Sequence, residues 1–235
     1  MVRNARAVFF DAGFTLVEPL EPIEHVYFSI ASKFDSRLCE RDFVARMRQL
    51  WHDPDRRRKL LGDGLECSDA IERDSWHRFT REVAVAFPTL LVHHEEWLRS
   101  LIEHFDQPGS WRAIEHASEV LQELRSRGKR LAILTNWHSA FHVLARAHGI
   151  DKQVDLILTS AEVGYRKPHG EIFRRALHGT NVRAENAVHI GDSLKEDVLG
   201  AHEAGIAAFH FVREASQVGE VSPRRISSLR QLLES

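Results

Sequence analysis

Cysteine is scarce in this chain: Cys39 and Cys67 are the only two in 235 residues. They show neither the CxxC spacing of a metal or redox pair nor the density of a disulfide scaffold, so both are expected as reduced thiols in a cytoplasmic protein. A dominant charge is missing as well. With 32 Lys and Arg against 34 Asp and Glu, the formal net charge is −2, which supplies no global field to draw in nucleic acid or anionic lipid. The basic stretch "RDFVARMRQLWHDPDRRRK" (41–59) is interleaved with Asp and apolar residues and reads as a solvated helix face. The longest apolar runs reach about half a membrane span, and "MVRNARAVFF" meets an aspartate too early for a signal-peptide core. Neither a membrane nor a nucleic-acid partner is expected. Internal repeats and low-complexity tracts are absent. Histidine is plentiful at 15 residues, but scattered, and the pair His93-His94 is too weak a signal to predict a metal.

What is present falls into two textures. Residues 1–16 and 109–235 alternate short apolar runs with helical periodicity. The strand candidates are "ARAVFF" (5–10), "RLAIL" (130–134), "VDLIL" (154–158), "AVHI" (187–190) and "AAFHFV" (207–212). Each run is continuous rather than alternating, as in parallel strands covered on both faces. Between them lie amphipathic stretches closed by glycine: "AIEHASEVLQELRSRG", "SAFHVLARAHG" and "EIFRRALHG". Ile226, Leu229, Leu232 and Leu233 predict a terminal amphipathic helix. Repeated strand and helix predict an α/β core with a parallel sheet and right-handed crossovers.

Residues 17–108 carry helix formers and aromatics (Phe28, Trp51, Trp76, Phe79, Phe87, Trp97, Phe105) and no clear strand. They predict a helical cap inserted after the first strand, its aromatics forming a core. Ligands of parallel sheets bind beyond the carboxyl ends of the strands, so an insertion leaving from that edge would hang over the site as a lid.

Four polar signatures each follow a strand candidate and would converge on that edge. Asp11 follows "AVFF"; Thr135-Asn136 follows "RLAIL"; Lys167-Pro168 follows "VDLIL"; and "GDSLKED" (191–197), with Asp192 and Asp197, follows "AVHI". Each alone is ordinary loop chemistry. Together they bring two or three carboxylates into one place, where repulsion raises their pKa unless a cation neutralises them. Hard oxygen donors favour Mg²⁺. Lys167 and the Thr135 hydroxyl add a cation and a donor for a bound oxyanion, and the Gly13 carbonyl is a further metal ligand. A carboxylate nucleophile, a divalent cation, a lysine and a hydroxyl make a site for phosphoryl transfer through an aspartyl intermediate.

These motifs, "DAGFTL", "ILTN", "GYRKPHGEIF" and "HIGDSLKEDVLGA", resemble those of the haloacid dehalogenase-like hydrolase superfamily, in its branch with a small helical cap. The resemblance covers nearly the whole chain. It implies a Rossmann-like parallel sheet, Asp11 as nucleophile, and Thr135 and Lys167 on the phosphoryl oxygens, with Asn136 adding its backbone amide. It also implies Mg²⁺ held by Asp11, the Gly13 carbonyl and Asp192, with Asp197 orienting that shell or reaching the ion through water, and a small phosphorylated molecule as substrate.

One position departs from the family pattern. Its phosphatases carry an Asp two residues after the nucleophile as general acid and base, and here Gly13 stands instead. Such a loss costs about 10²–10⁴ in rate, most for leaving groups of high pKa. His138, His25 and Tyr27 are candidate substitutes. The alternatives are a metal-independent 2-haloacid dehalogenase, whose halide needs no proton, or a silent member that binds a phosphorylated ligand or a protein. A phosphonate-cleaving enzyme would need a cap lysine, Lys33 or Lys59, and nothing marks either as a Schiff base.

Overall fold

The structure, a computed structural model, describes residues 2–53, 60, 64–213 and 224–234. Part of the 41–59 stretch and Lys59 lie outside them. The chain divides into two compact units: Met1–Glu18, Leu65–Ser68 and Arg112–Ser235 in one, Pro19–Gly64 and Asp69–Trp111 in the other.

The first unit is built on a six-stranded sheet. β1 (Ala7–Phe10), β4 (Arg130–Thr135), β5 (Leu156–Thr159), β6 (Ala187–Gly191), β7 (Ala207–Phe211) and β8 (Arg225–Ile226) run in the order β5-β4-β1-β6-β7-β8, all pairs parallel. β1 lies at the centre with every residue buried, which is why "AVFF" is apolar without alternation. Phe10 is level with Ile133 on β4 and Ile190 on β6, so these three strands reach the same sheet edge together. Two short strands, β2 (Val17–Pro19) and β3 (Trp111–Ala113), pair separately.

The crossovers carry α6 (Ala117–Ser126), α7 (Phe141–Ala147), α8 (Ser160–Val163) and α9 (Gly170–Thr180). Gly128 and Gly149 follow α6 and α7 with φ of 74° and 68°, the left-handed conformation that glycine adopts without strain. Gly179 does not end α9 as its pattern suggests. The helix runs through it to Thr180, and Asn181 takes the left-handed position. A Cβ on Gly179 would lie 2.7 Å from Leu156 Cδ2, so glycine there lets α9 close onto β5. The predicted terminal helix is also shorter than its apolar pattern: Ile226 belongs to β8, and only α11 (Gln231–Glu234) is helical.

The predicted insertion is interrupted, because Leu65–Ser68 groups with the sheet unit. Arg166 N donates to Leu65 O at 2.8 Å and Cys67 N to Gly164 O at 2.9 Å, around an antiparallel bridge of Glu66 with Tyr165.

The second unit contains α1 (Ile23–Ala31), α2 (Glu40–His52), α3 (Asp69–Ala84), α4 (Pro88–Val92) and α5 (His94–Asp106). Its apolar faces meet in an aromatic core. The Trp97 ring lies 6.2 Å from Tyr27 and 5.9 Å from Phe43, and its indole N–H donates to Tyr27 O. Tyr27, a candidate proton donor from sequence, is a core residue: it is 5% exposed and burial pushes its phenol well above the usual range. Among the described residues no helix is long and apolar enough to cross a membrane.

Candidate active site

Asp11 follows the last residue of β1 and extends its ladder, with Asp11 N donating to Ile190 O at 2.8 Å. The chain then folds back at once. Ala12 O accepts from the N–H groups of Thr15, Leu16 and Val17, and Phe14 takes a positive φ of 57°. This tight turn holds Asp11 at the sheet edge with 7% of its surface exposed. Among the described residues no backbone N–H donates to the Gly13 carbonyl.

Lys167 reaches Asp11 from the β5–α9 connection. Its ammonium, 2% exposed, donates to Asp11 Oδ1 and to Asp197 Oδ1, each at 2.6 Å. Asn136, just beyond β4, clamps the Lys167 backbone at both ends: Oδ1 accepts from Lys167 N at 2.7 Å and Nδ2 donates to Lys167 O at 3.1 Å. Its Nδ2 also donates to Glu196 Oε2 at 3.0 Å. The Asn136 side chain is therefore spent on positioning, leaving its backbone amide as the group that sequence assigns to a ligand. Thr135, 1% exposed, ends β4, the strand beside β1.

The fourth motif begins at the end of β6. Asp197 lies in a π-helical turn (Leu194–Leu199) that leads into α10 (Gly200–Glu203). Both of its oxygens are engaged: Oδ1 accepts from Lys167 and from His189 Nε2 at 2.9 Å, and Oδ2 accepts from Ser193 N at 3.0 Å. The carboxylate lies directly over Gly191, where any Cβ would run into it, so "GDS" needs its glycine for space. His189, fully buried within "AVHI", is a site residue that the sequence analysis missed. Its signal was a lone imidazole in an otherwise apolar strand. His210 Nε2 donates to the Asp192 backbone carbonyl at 2.9 Å and holds the chain there.

One carboxylate oxygen each from Asp11, Asp192 and Asp197 lie within 4.8 Å of one another. Burial and the neighbouring carboxylates raise Asp11 well above the usual range, against the pull of Lys167. Burial, then Asp197, raises Asp192 to about 7. Burial also opposes ionisation of Asp197, yet Lys167 and His189 hold it below the usual range. Burial works against the Lys167 ammonium, and Asp11 and Asp197 outweigh it, keeping it charged. Burial lowers His189, which stays neutral. Full ionisation would set three carboxylates against one ammonium, two negative charges in excess, and the raised Asp11 and Asp192 resist that state until a cation offsets it. Gly13 faces Trp137, and a Cβ would meet Trp137 Cζ3 at 3.5 Å, an ordinary contact. Packing therefore leaves room for a Cβ at this position.

A parallel sheet with acidic and basic side chains gathered beyond its central strand is an α/β fold with its site where such sheets bind ligands. The chain belongs to the haloacid dehalogenase-like hydrolases, whose family pattern matches residues 5–205. The bovine (Bos taurus) haloacid dehalogenase-like hydrolase domain-containing protein 3 is 34% identical over 109 residues, 46% of this chain and 43% of that one. The ribulose-1,5-bisphosphate 5-phosphatase of Halopiger xanaduensis is 33% identical over 119 residues, half of each chain. The chain thus spans about half, or less, of the length of these curated relatives. A phosphatase of the family from Thermococcus onnurineus superposes with a TM-score of 0.66 at 21% identity, covering 97% of this chain and 96% of that one. Solved dehalogenases share the fold to a similar extent.

Proposed function

We propose that this hydrolase is a Mg²⁺-dependent phosphohydrolase, acting through Asp11 on small phosphorylated metabolites with good leaving groups. The observation that carries the reading is the cluster of three aspartates around Lys167 at the end of β1. All its anionic donors are hard oxygens, and its charge excess matches one divalent cation, which fits Mg²⁺. Asp11, Asp192 and the Gly13 carbonyl would hold the ion; Asp197, with both oxygens already engaged, positions Lys167 and meets the metal shell from outside. When bound, the ion would offset the repulsion between Asp11 and an anionic phosphate. The phosphatase among the relatives supports this substrate class, and the paucity of cysteine supports a cytoplasmic setting.

The residues divide the work simply. Thr135 and Lys167, with the Asn136 amide, bind the phosphoryl oxygens. An Asp11 carboxylate oxygen forms a bond to phosphorus as the bond to the leaving oxygen breaks, and the leaving group departs with that electron pair. Water then attacks the aspartyl-phosphate, releasing phosphate and restoring Asp11. Gly13 assists neither step, so acyl and aryl phosphates react better than alkyl phosphates. The same glycine favours a second reading, halide displacement by Asp11, which needs no proton. Asp192 and Asp197 weigh against it, because without a cation they repel both Asp11 and an anionic haloacid.

The test is turnover of acetyl phosphate, p-nitrophenyl phosphate and an alkyl phosphate, with and without Mg²⁺, by wild type and Gly13→Asp. Mg²⁺-dependent hydrolysis of the first two is expected. Gly13→Asp should raise the alkyl rate by about 10²-fold or more, and the acetyl phosphate rate far less. No turnover by either protein, or rates indifferent to Asp11→Asn, would overturn the reading; metal-free chloride release from 2-chloropropionate would replace it with the dehalogenase.

A further inference from the structure

The helical unit brings together a second set of metal-ligand side chains. His77 lies on α3, and His94 and Glu95 open α5. One ligand atom from each falls within 4.8 Å of the others. Glu95 Oε1 sits between the two rings, 2.9 Å from His77 Nε2 and 3.4 Å from His94 Nδ1. For bonds of about 2.0–2.1 Å, tetrahedral geometry sets neighbouring donors about 3.4 Å apart, so little movement is needed to seat an ion.

His94 supplies the independent observation. It is 2% exposed, and its Nδ1 is buried with no hydrogen-bond partner nearer than Glu95 Oε1, 3.4 Å away. Its other nitrogen, Nε2, is 2.9 Å from Thr80 Oγ1. That hydroxyl has one proton, and its nearest acceptor is Trp76 O at 2.8 Å. Thr80 Oγ1 thus pairs with the Nε2 side of the ring, leaving Nδ1 as the nitrogen that faces Glu95. Nδ1 is therefore a buried ring nitrogen aimed at a carboxylate oxygen 3.4 Å away.

We propose that His77, His94 and Glu95 form a site for a borderline divalent cation such as Zn²⁺, distinct in ligand chemistry from the aspartate cluster. His94 binds through Nδ1, Glu95 through Oε1, and His77 through Nε2, where the ion replaces the proton now shared with Glu95. Two imidazoles select against Mg²⁺. The Glu95 side chain is 69% exposed and that of His77 36%, so water completes the coordination from the open side. The ion ties α3 to α5, two helices already joined by the His77–Glu95 pair and the Thr80–His94 hydrogen bond. Arg81 lies near enough for its charge to be felt at His94, which tempers the affinity.

The experiment is titration of the Mg²⁺-saturated protein with Co²⁺, followed by visible absorption and then by Zn²⁺ displacement. One equivalent of Co²⁺ should bind in the micromolar range or tighter, give four- or five-coordinate d–d bands, and be displaced by Zn²⁺. Zn²⁺ at 100 times its Kd should raise the thermal midpoint by about 5–10 °C. His77→Ala and Glu95→Gln, both at exposed side chains and expected to fold, should each weaken binding on the order of 10²-fold. His93→Ala, whose ring pairs with Glu96 instead, should bind as wild type. Unchanged affinity in His77→Ala and Glu95→Gln, equal loss in His93→Ala, or no binding at micromolar metal would each overturn the proposal.

Discussion

Removing the divalent cation should make the protein less stable as pH rises, because the aspartate cluster then carries charge that nothing neutralises. Asp192 shows the size of the effect. Its folded-state pKa is about 7 against an ordinary value of 3.8. A folded pKa above the unfolded one stabilises fully at pH below about 4 and loses that stability as pH climbs through 7. The full difference corresponds to about 4 kcal/mol. Asp192 is only partly buried, so screening reduces this, and about 2–4 kcal/mol is expected. In a chain of this length that is about 5–15 °C in thermal midpoint. Asp197 acts in the opposite sense and in another window: its folded pKa is depressed, so its contribution is present above about pH 4 and lost below it. The assay is thermal unfolding from pH 5 to 8, in chelator and in excess Mg²⁺, for wild type and Asp192→Asn. In chelator the wild-type midpoint should fall more steeply with pH than that of Asp192→Asn. The increment given by Mg²⁺ should grow over the same range in wild type and nearly vanish in the variant. An increment independent of pH, or equal slopes for the two proteins, would refute the electrostatic reasoning.

Further outcomes follow from the same contacts. Lys167→Ala leaves Asp11 and Asp197 buried without their cation and should cost about 3–5 kcal/mol in chelator, part of it recovered in Mg²⁺; chemical denaturation in both conditions measures this. Gly191→Ala forces the Asp197 carboxylate aside, so it should lose at least about 1–3 kcal/mol and most Mg²⁺-dependent turnover, whereas Gly109→Ala, where a Cβ meets nothing within 4 Å, should be near neutral. Trp97→Ala removes a fully buried indole from the helical unit and should cost about 3–5 kcal/mol in the same unfolding assay.

Much of the sheet unit was legible because parallel strands covered on both faces must be apolar throughout, and "AVFF", "RLAIL" and "AVHI" are. The polar residues that end those runs converge for the same topological reason. Other features depend on contacts that no local pattern encodes. The two residues of β8 are too few to show a period. Gly179 reads as a helix stop because glycine usually is one, whereas here it answers to Leu156 across the crossover. His189 is marked only by being polar in a buried strand; its partner Asp197 comes eight residues later, after a turn. His77 and His94 stand on different helices, so the histidine pair at 93–94 drew notice while the true neighbour of His94 did not.

The most direct test of Asp11 as nucleophile uses the absence of a general base at Gly13. With acetyl phosphate and Mg²⁺ the first step needs no proton, while hydrolysis of the aspartyl-phosphate lacks an activated water, so the covalent intermediate should accumulate. Quenching within a turnover, reduction with borohydride and peptide mass spectrometry should find homoserine at position 11 in wild type, and much less in Gly13→Asp. Unmodified Asp11 during Mg²⁺-dependent turnover, or modification at another carboxylate, would contradict the assignment.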